Sequence, residues 1–177
     1  FSWVNNQGVP APMTITCDFE VGLTSGVTRV YPLVTIARCA FHLYQAVFRK
    51  IQSLGLADLY RAPETKKYLK GIMALSLLPP IDIPKYFEEL KEETIDEVPL
   101  SRIFTTEALF DYFENAYIGK KAANGVRISP MFPPSTWSIY TRITQSLQIG
   151  NSTMEGFNSK LQTVPPGSTA QKVASIL

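Results

Sequence analysis

Only two stretches of this chain carry the residue pattern of a β-strand, and both precede residue 40. Pro12 to Phe19, PMTITCDF, alternates: Met13, Ile15 and Cys17 point one way, Thr14, Thr16 and Asp18 the other. Val34 to Ala37 is a second, shorter apolar run. Two strands do not make a sheet that can support a fold by itself. The core must therefore come from helices, or from a sheet completed by residues ahead of Phe1.

The rest of the chain reads as helix. Between the two strands, Glu20 to Tyr31 is expected as a helix weakened by Gly22 and Gly26 and stopped by Pro32. After the second strand, Ala40, Leu43, Tyr44, Val47, Ile51 and Leu54 recur at spacings of three and four, which predicts a long amphipathic helix ending at Gly55. Pro63 opens a helix over Glu64 to Leu78, closed by Pro79-Pro80. Asp82 is placed to cap a helix over Pro84 to Glu93. Thr105 or Thr106 can cap Glu107 to Ile118, with Gly119 at its end. Ser135 can cap Thr136 to Leu147, and Ser152 can cap Thr153 to Gln162. Pro165-Pro166-Gly167 then breaks the chain before a short last helix, Thr169 to Ile176. The fold class is α/β, mostly helical.

Charge narrows the functional classes only slightly. The net charge is +2 over 177 residues. The middle is acidic (Glu88, Glu89, Glu92, Glu93, Asp96 and Glu97) and the flanks are basic, a distribution compatible with phosphate backbones but more often that of solvated helix faces. The acidic stretch reads as a solvated outer face. No apolar run is long enough to span a membrane. Two cysteines make no disulfide framework, and the pattern is that of a reduced, intracellular chain.

Few residues can carry chemistry. The one histidine, His42, stands three positions after Cys39, so both lie on one face at the start of the long helix. Two cysteines and one histidine fall short of the four ligands of a structural zinc site. HExxH, the P-loop, GxGxxG and GxSxG are all absent, and one histidine without a paired nucleophile makes no triad. The carboxylates at element ends are the other resource. Asp18 stands where the first strand runs out, and Glu155 in the first turn of a helix, positions that suit a hard cation such as Mg²⁺. Each also has a structural use. Asp18 can cap the following helix, and Ser152 with Glu155 makes a capping box.

Five stretches, in order, resemble the transposase domain of Mutator-like elements. Thr16 to Glu20, TCDFE, resembles the family's TDFE, and Arg38 to Ala46, RCAFHLYQA, resembles GCxFHxxQA with its C/D-x-x-H signature. Leu109 to Gly119, LFDYFENAYIG, is similar to LLDYFExTYIG, and Phe132 to Tyr140, FPPSTWSIY, to FPxxxWNVY. Asn151 to Asn158, NSTMEGFN, resembles TNNxxEGWH, with Phe157 in place of Trp and Asn158 in place of His.

That resemblance implies a partial RNase H-like core interrupted by an all-helical insertion. Residues 1–54 would supply the later part of the sheet and the C-x-x-H helix, 55–148 the helical insertion, and 149–177 the last core helix with its acid. Asp18 would be the second acid of a DDE triad and Glu155 the third, both as ligands of Mg²⁺ (or Mn²⁺), with Cys39 and His42 supporting the site. The first acid belongs to a strand expected upstream of Phe1, so the chain reads as a fragment with little or no activity alone. The activity implied for the intact protein is two-metal cleavage and strand transfer at DNA phosphodiesters. Its partners would be transposon ends, target DNA and a possible second copy of itself, and its compartment the nucleus. The alternative is a domesticated, non-catalytic helical module that binds DNA or protein, its aromatics Tyr86, Phe87, Phe110, Tyr112, Phe113 and Tyr117 serving a core or a docking face.

Overall fold

The computed structural model describes residues 10–145; Glu155 and the helices expected over Thr153 to Gln162 and Thr169 to Ile176 lie outside the described residues. The chain begins with a β-α-β unit. Strand β1 (Thr14–Cys17) pairs in parallel with β2 (Thr35–Arg38), Thr14 opposite Thr35 and Cys17 opposite Arg38. Helix α1 (Val21–Val30) makes the crossover that a parallel pair requires. Among the described residues the sheet has only these two strands. It is thinly covered at its start, where Thr14, Thr16 and Thr35 are exposed, and buried only at its C-terminal end. Helix α1 buries only Val27, and its hydroxyls are satisfied locally, as when Thr24 Oγ1 and Thr28 Oγ1 donate to carbonyls one turn back.

Helix α2 (Ala40–Ser53) buries Ala40, Leu43, Val47 and Ile51, the stripe expected from the sequence, and the chain turns at Gly55 with φ of 70°. A short α3 (Ala57–Arg61) follows that the sequence pattern did not reveal. Pro63 then opens α4 (Pro63–Ala74), whose last turn tightens to a 3₁₀ turn over Leu75–Leu77 before the paired prolines. Helix α5 (Ile83–Glu97) extends beyond the predicted end at Glu93, because Leu90 and Thr94 continue its buried face and the Thr94 hydroxyl donates to the Leu90 carbonyl at 2.6 Å. Asp82 precedes α5, but its side chain does not cap it.

Helix α6 (Ile103–Phe113) starts earlier than predicted, so neither Thr105 nor Thr106 caps it. Thr105 Oγ1 instead donates back to the Arg102 carbonyl, and Thr106 Oγ1 is buried without a partner among the described residues. A π-helical turn, Glu114–Ile118, ends at Gly119, whose N–H donates to the Glu114 carbonyl at 2.7 Å. Gly119 has φ of 92°, and a Cβ there would sit 1.9 Å from the Ile128 carbonyl oxygen, so glycine is required. A hairpin turning at Asn124-Gly125 follows, bridged at Lys121 and Arg127. Arg127 ties it down with ion pairs to Glu88 and Glu114, and Lys121 reaches Glu88 at 2.8 Å. Glu88 is thus an anchor for the hairpin as well as part of the acidic face.

The single helix predicted over Thr136 to Leu147 is two pieces in the structure, α7 (Pro134–Trp137) and α8 (Tyr140–Thr144). The break has a physical cause. Ile139 N donates to the Ser76 carbonyl at 2.7 Å and Ser138 Oγ to the Leu78 carbonyl at 2.7 Å, drawing both residues out of helical geometry to satisfy the end of α4.

One hydrophobic cluster runs from Ala40 to Ile139 and includes the fully buried Trp137, Phe87, Phe110 and Phe113. The buried face of α2 is part of it, while Cys17, Val27, Tyr31 and Ala37 are buried outside it. The architecture is therefore mostly helical α/β. No helix among the described residues is long and apolar enough to cross a membrane.

Candidate functional site

The C-terminal ends of the two parallel strands gather the polar groups that the helical core excludes. In open α/β sheets this is the edge where ligands bind. Asp18 follows β1 directly and is half-buried, with Oδ1 fully buried and without a hydrogen-bond partner among the described residues. An orphaned carboxylate oxygen is costly unless something supplies positive charge or a donor. This observation fits Asp18 to a hard cation.

Cys39 stands between β2 and α2, extending the ladder by one bond as its N–H donates to the Cys17 carbonyl at 2.8 Å. Both cysteines are free thiols. His42 lies in the first turn of α2, exposed, with its ring 5.6 Å from that of Phe41. No hydrogen bond joins it to the turn that carries Asp18. Among the described residues, no group of three or more His, Cys, Asp or Glu side chains could hold a metal ion. Asp18 and the Cys39–His42 pair thus share one end of the sheet, and Glu155 lies outside the described residues.

Two arginines that sequence reasoning counted only as surface charge belong to this place. Arg38, the last residue of β2, is 5% exposed and Arg142, on α8, is 9% exposed. Arg142 Nη2 donates to the Arg38 carbonyl at 2.9 Å, which brings the chain back to the strand ends after the whole helical block. Burial lowers the Arg142 pKa, opposed by nearby Cys39 and Tyr44. Tyr44 closes this side of the site. Its hydroxyl is hydrogen-bonded to Ser76 Oγ at 2.9 Å, and burial pushes its pKa up to about 12 despite the Ser76 and Arg142 contacts. Arg38 had one sequence signal, a charge at the end of the apolar run Ile36-Ala37. Arg142 had none, because its burial depends on the break at Ser138–Ile139.

No family model, curated protein or solved structure matches this chain.

Proposed function

We propose that this chain is part of a Mutator-type DDE transposase catalytic domain. On this reading β1, α1, β2 and α2 belong to an RNase H-like core and the helices from α3 to α8 form its insertion. The observation that carries the proposal is the buried, unpartnered Oδ1 of Asp18 at the C-terminal end of a parallel strand. The return of the chain to that same end through the Arg142–Arg38 hydrogen bond supports it. Glu155 follows Arg142 by 13 residues, and an extended chain of that length reaches up to roughly 45 Å.

Asp18 and Glu155 would hold Mg²⁺ (or Mn²⁺), which stabilises the attacking and leaving oxygens at a DNA phosphodiester. Asp18 would contribute a carboxylate at the strand end, with Cys39 and His42 at the start of α2 in support. His42, exposed on that helix, is free to meet a DNA phosphate. The resemblance calls for a third acid that the matched stretches do not include, so the chain alone is expected to bind the ion weakly and to cleave DNA poorly. DNA and a second copy of the protein would be its partners, and the nucleus its place of action.

The competing proposal, a non-catalytic helical module that binds DNA or protein, draws on the self-contained core from Ala40 to Ile139. Mn²⁺ binding to the full 177-residue chain, read by electron paramagnetic resonance, separates the two. The transposase reading expects millimolar binding weakened at least tenfold by Asp18→Asn and by Glu155→Gln. Binding that neither substitution alters would favour the module.

A further inference from the structure

The Arg38 guanidinium spans the end of β1. Its Nη1 lies 3.4 Å from Cys17 Sγ, donates to the Asp18 carbonyl and lies 3.5 Å from the Glu20 carbonyl. Its guanidinium carbon sits 5.8 Å from the centre of the Phe19 ring and 5.1 Å from that of Phe132. One side chain therefore contacts each of the four residues from Cys17 to Glu20 and joins them to Phe132 of the helical block. Phe19 is fixed from the other direction by edge-on contacts with Tyr117 at 5.5 Å and Phe132 at 5.0 Å. Behind it, Arg142 holds the Arg38 carbonyl.

This arrangement is unusual in its charge balance. Among the described residues, neither Arg38 nor Arg142 has an ion-paired carboxylate, and Arg38 Nε is buried without a hydrogen-bond partner. Taking a guanidinium out of water without a counter-charge is unfavourable. A hydrophobic side chain would pack against the Phe19 and Phe132 rings at less cost. What it would not supply is a guanidinium whose Nη1 donates to the Asp18 carbonyl and lies near that of Glu20 while its charge sits over two aromatic rings.

We propose that Arg38 is a positioning residue for Asp18. By holding the Asp18 carbonyl and the residues on either side, it fixes the direction in which the Asp18 carboxylate leaves the strand end. Arg142, through the Arg38 carbonyl, makes that direction depend on the seating of the helical block. The proposal rests on the reading of Asp18 as a ligand of a divalent cation and adds to it the residue that aims the ligand.

The test uses the full chain and Arg38→Lys, which keeps the charge but loses the planar guanidinium and its reach, with Arg142→Lys as a second variant. Two amides report on the turn, Thr24 N bonded to the Glu20 carbonyl and Cys39 N bonded to the Cys17 carbonyl. Arg38→Lys should speed hydrogen exchange at both at least tenfold, with Leu69 and Phe110 amides unchanged, and weaken Mn²⁺ binding at least tenfold. Arg142→Lys should shift both readouts in the same direction by less. Unchanged exchange at Thr24 and Cys39 in Arg38→Lys would overturn the proposal. So would a loosened turn with wild-type Mn²⁺ affinity in a protein whose Asp18→Asn variant has lost binding. Should Asp18→Asn bind Mn²⁺ as wild type does, the cation reading fails, and the exchange measurement still decides whether Arg38 holds the turn.

Discussion

From Ala40 to Ile139 the elements turn apolar side chains into one cluster, whereas from Thr14 to Arg38 only Phe19 packs against it. The first region is held by burial of leucine, isoleucine and aromatic surface, which is non-directional and large. The second is held by four ladder residues per strand and a few directional contacts, the Arg38 clamp among them. The contrast assigns different work to the two regions. A dense core gives stability, while the strand end is held by the directional contacts of a buried arginine. It also follows that substitutions should separate by region, large in the block and small at the exposed residues that lead into the sheet.

Trp137 gives the largest expected effect. It is fully buried, its indole N–H donates to the Phe132 carbonyl at 2.9 Å, and its ring meets Phe113 and Tyr117 edge-on. Trp137→Ala should cost about 3–5 kcal/mol in urea unfolding. A cost below 1 kcal/mol would mean that the block is not the stable unit.

Alkaline pH should come next. Tyr44 ionises near its ordinary value of 10.0 when unfolded and at about 12 when folded, so between those values the unfolded state binds fewer protons and stability falls as pH rises. Stability present below pH 10 should decline by roughly 2–3 kcal/mol across this window. Burial raises the Tyr117 pKa as well, in the same direction. Tyr44→Phe should flatten the decline, and an equal slope in that variant would assign it elsewhere.

Gly119→Ala should destabilise by roughly 1–3 kcal/mol, because the new Cβ meets backbone and φ is positive. Thermal unfolding read by circular dichroism would check it. The smallest effect is expected beside the sheet, at the residues that lead into its strands. Met13→Thr and Leu33→Ser should each stay within about 0.5 kcal/mol, since both side chains are exposed. A larger loss would show that these residues are covered in solution and would break the contrast between regions.

The sequence made one kind of feature legible and hid another. The α2 stripe, the stop at Gly55, the start at Pro63 and both strands could be read because each depends on local periodicity or on the backbone of one residue. Asp18 could be placed at a strand end for the same reason. The split between α7 and α8 could not be read, because Ser138 and Ile139 leave the helix to bond carbonyls some 60 residues earlier. Thr105 and Thr106 failed as caps because Leu100–Arg102 already turns the chain into α6. Arg38 and Arg142 were hidden most completely. A basic residue in sequence reads as solvated, and only the tertiary return of α8 to β2 buries both.

Asp18 and Glu155 are proposed to meet at one cation. Crystals of the full chain soaked in Mn²⁺ and measured at the manganese edge test it directly. The predicted result is an anomalous peak at the end of β1, within about 2.1–2.2 Å of an oxygen of Asp18 and an oxygen of Glu155. A map with no peak there, and with the Glu155 carboxylate on the far side of the molecule from Asp18, would contradict it.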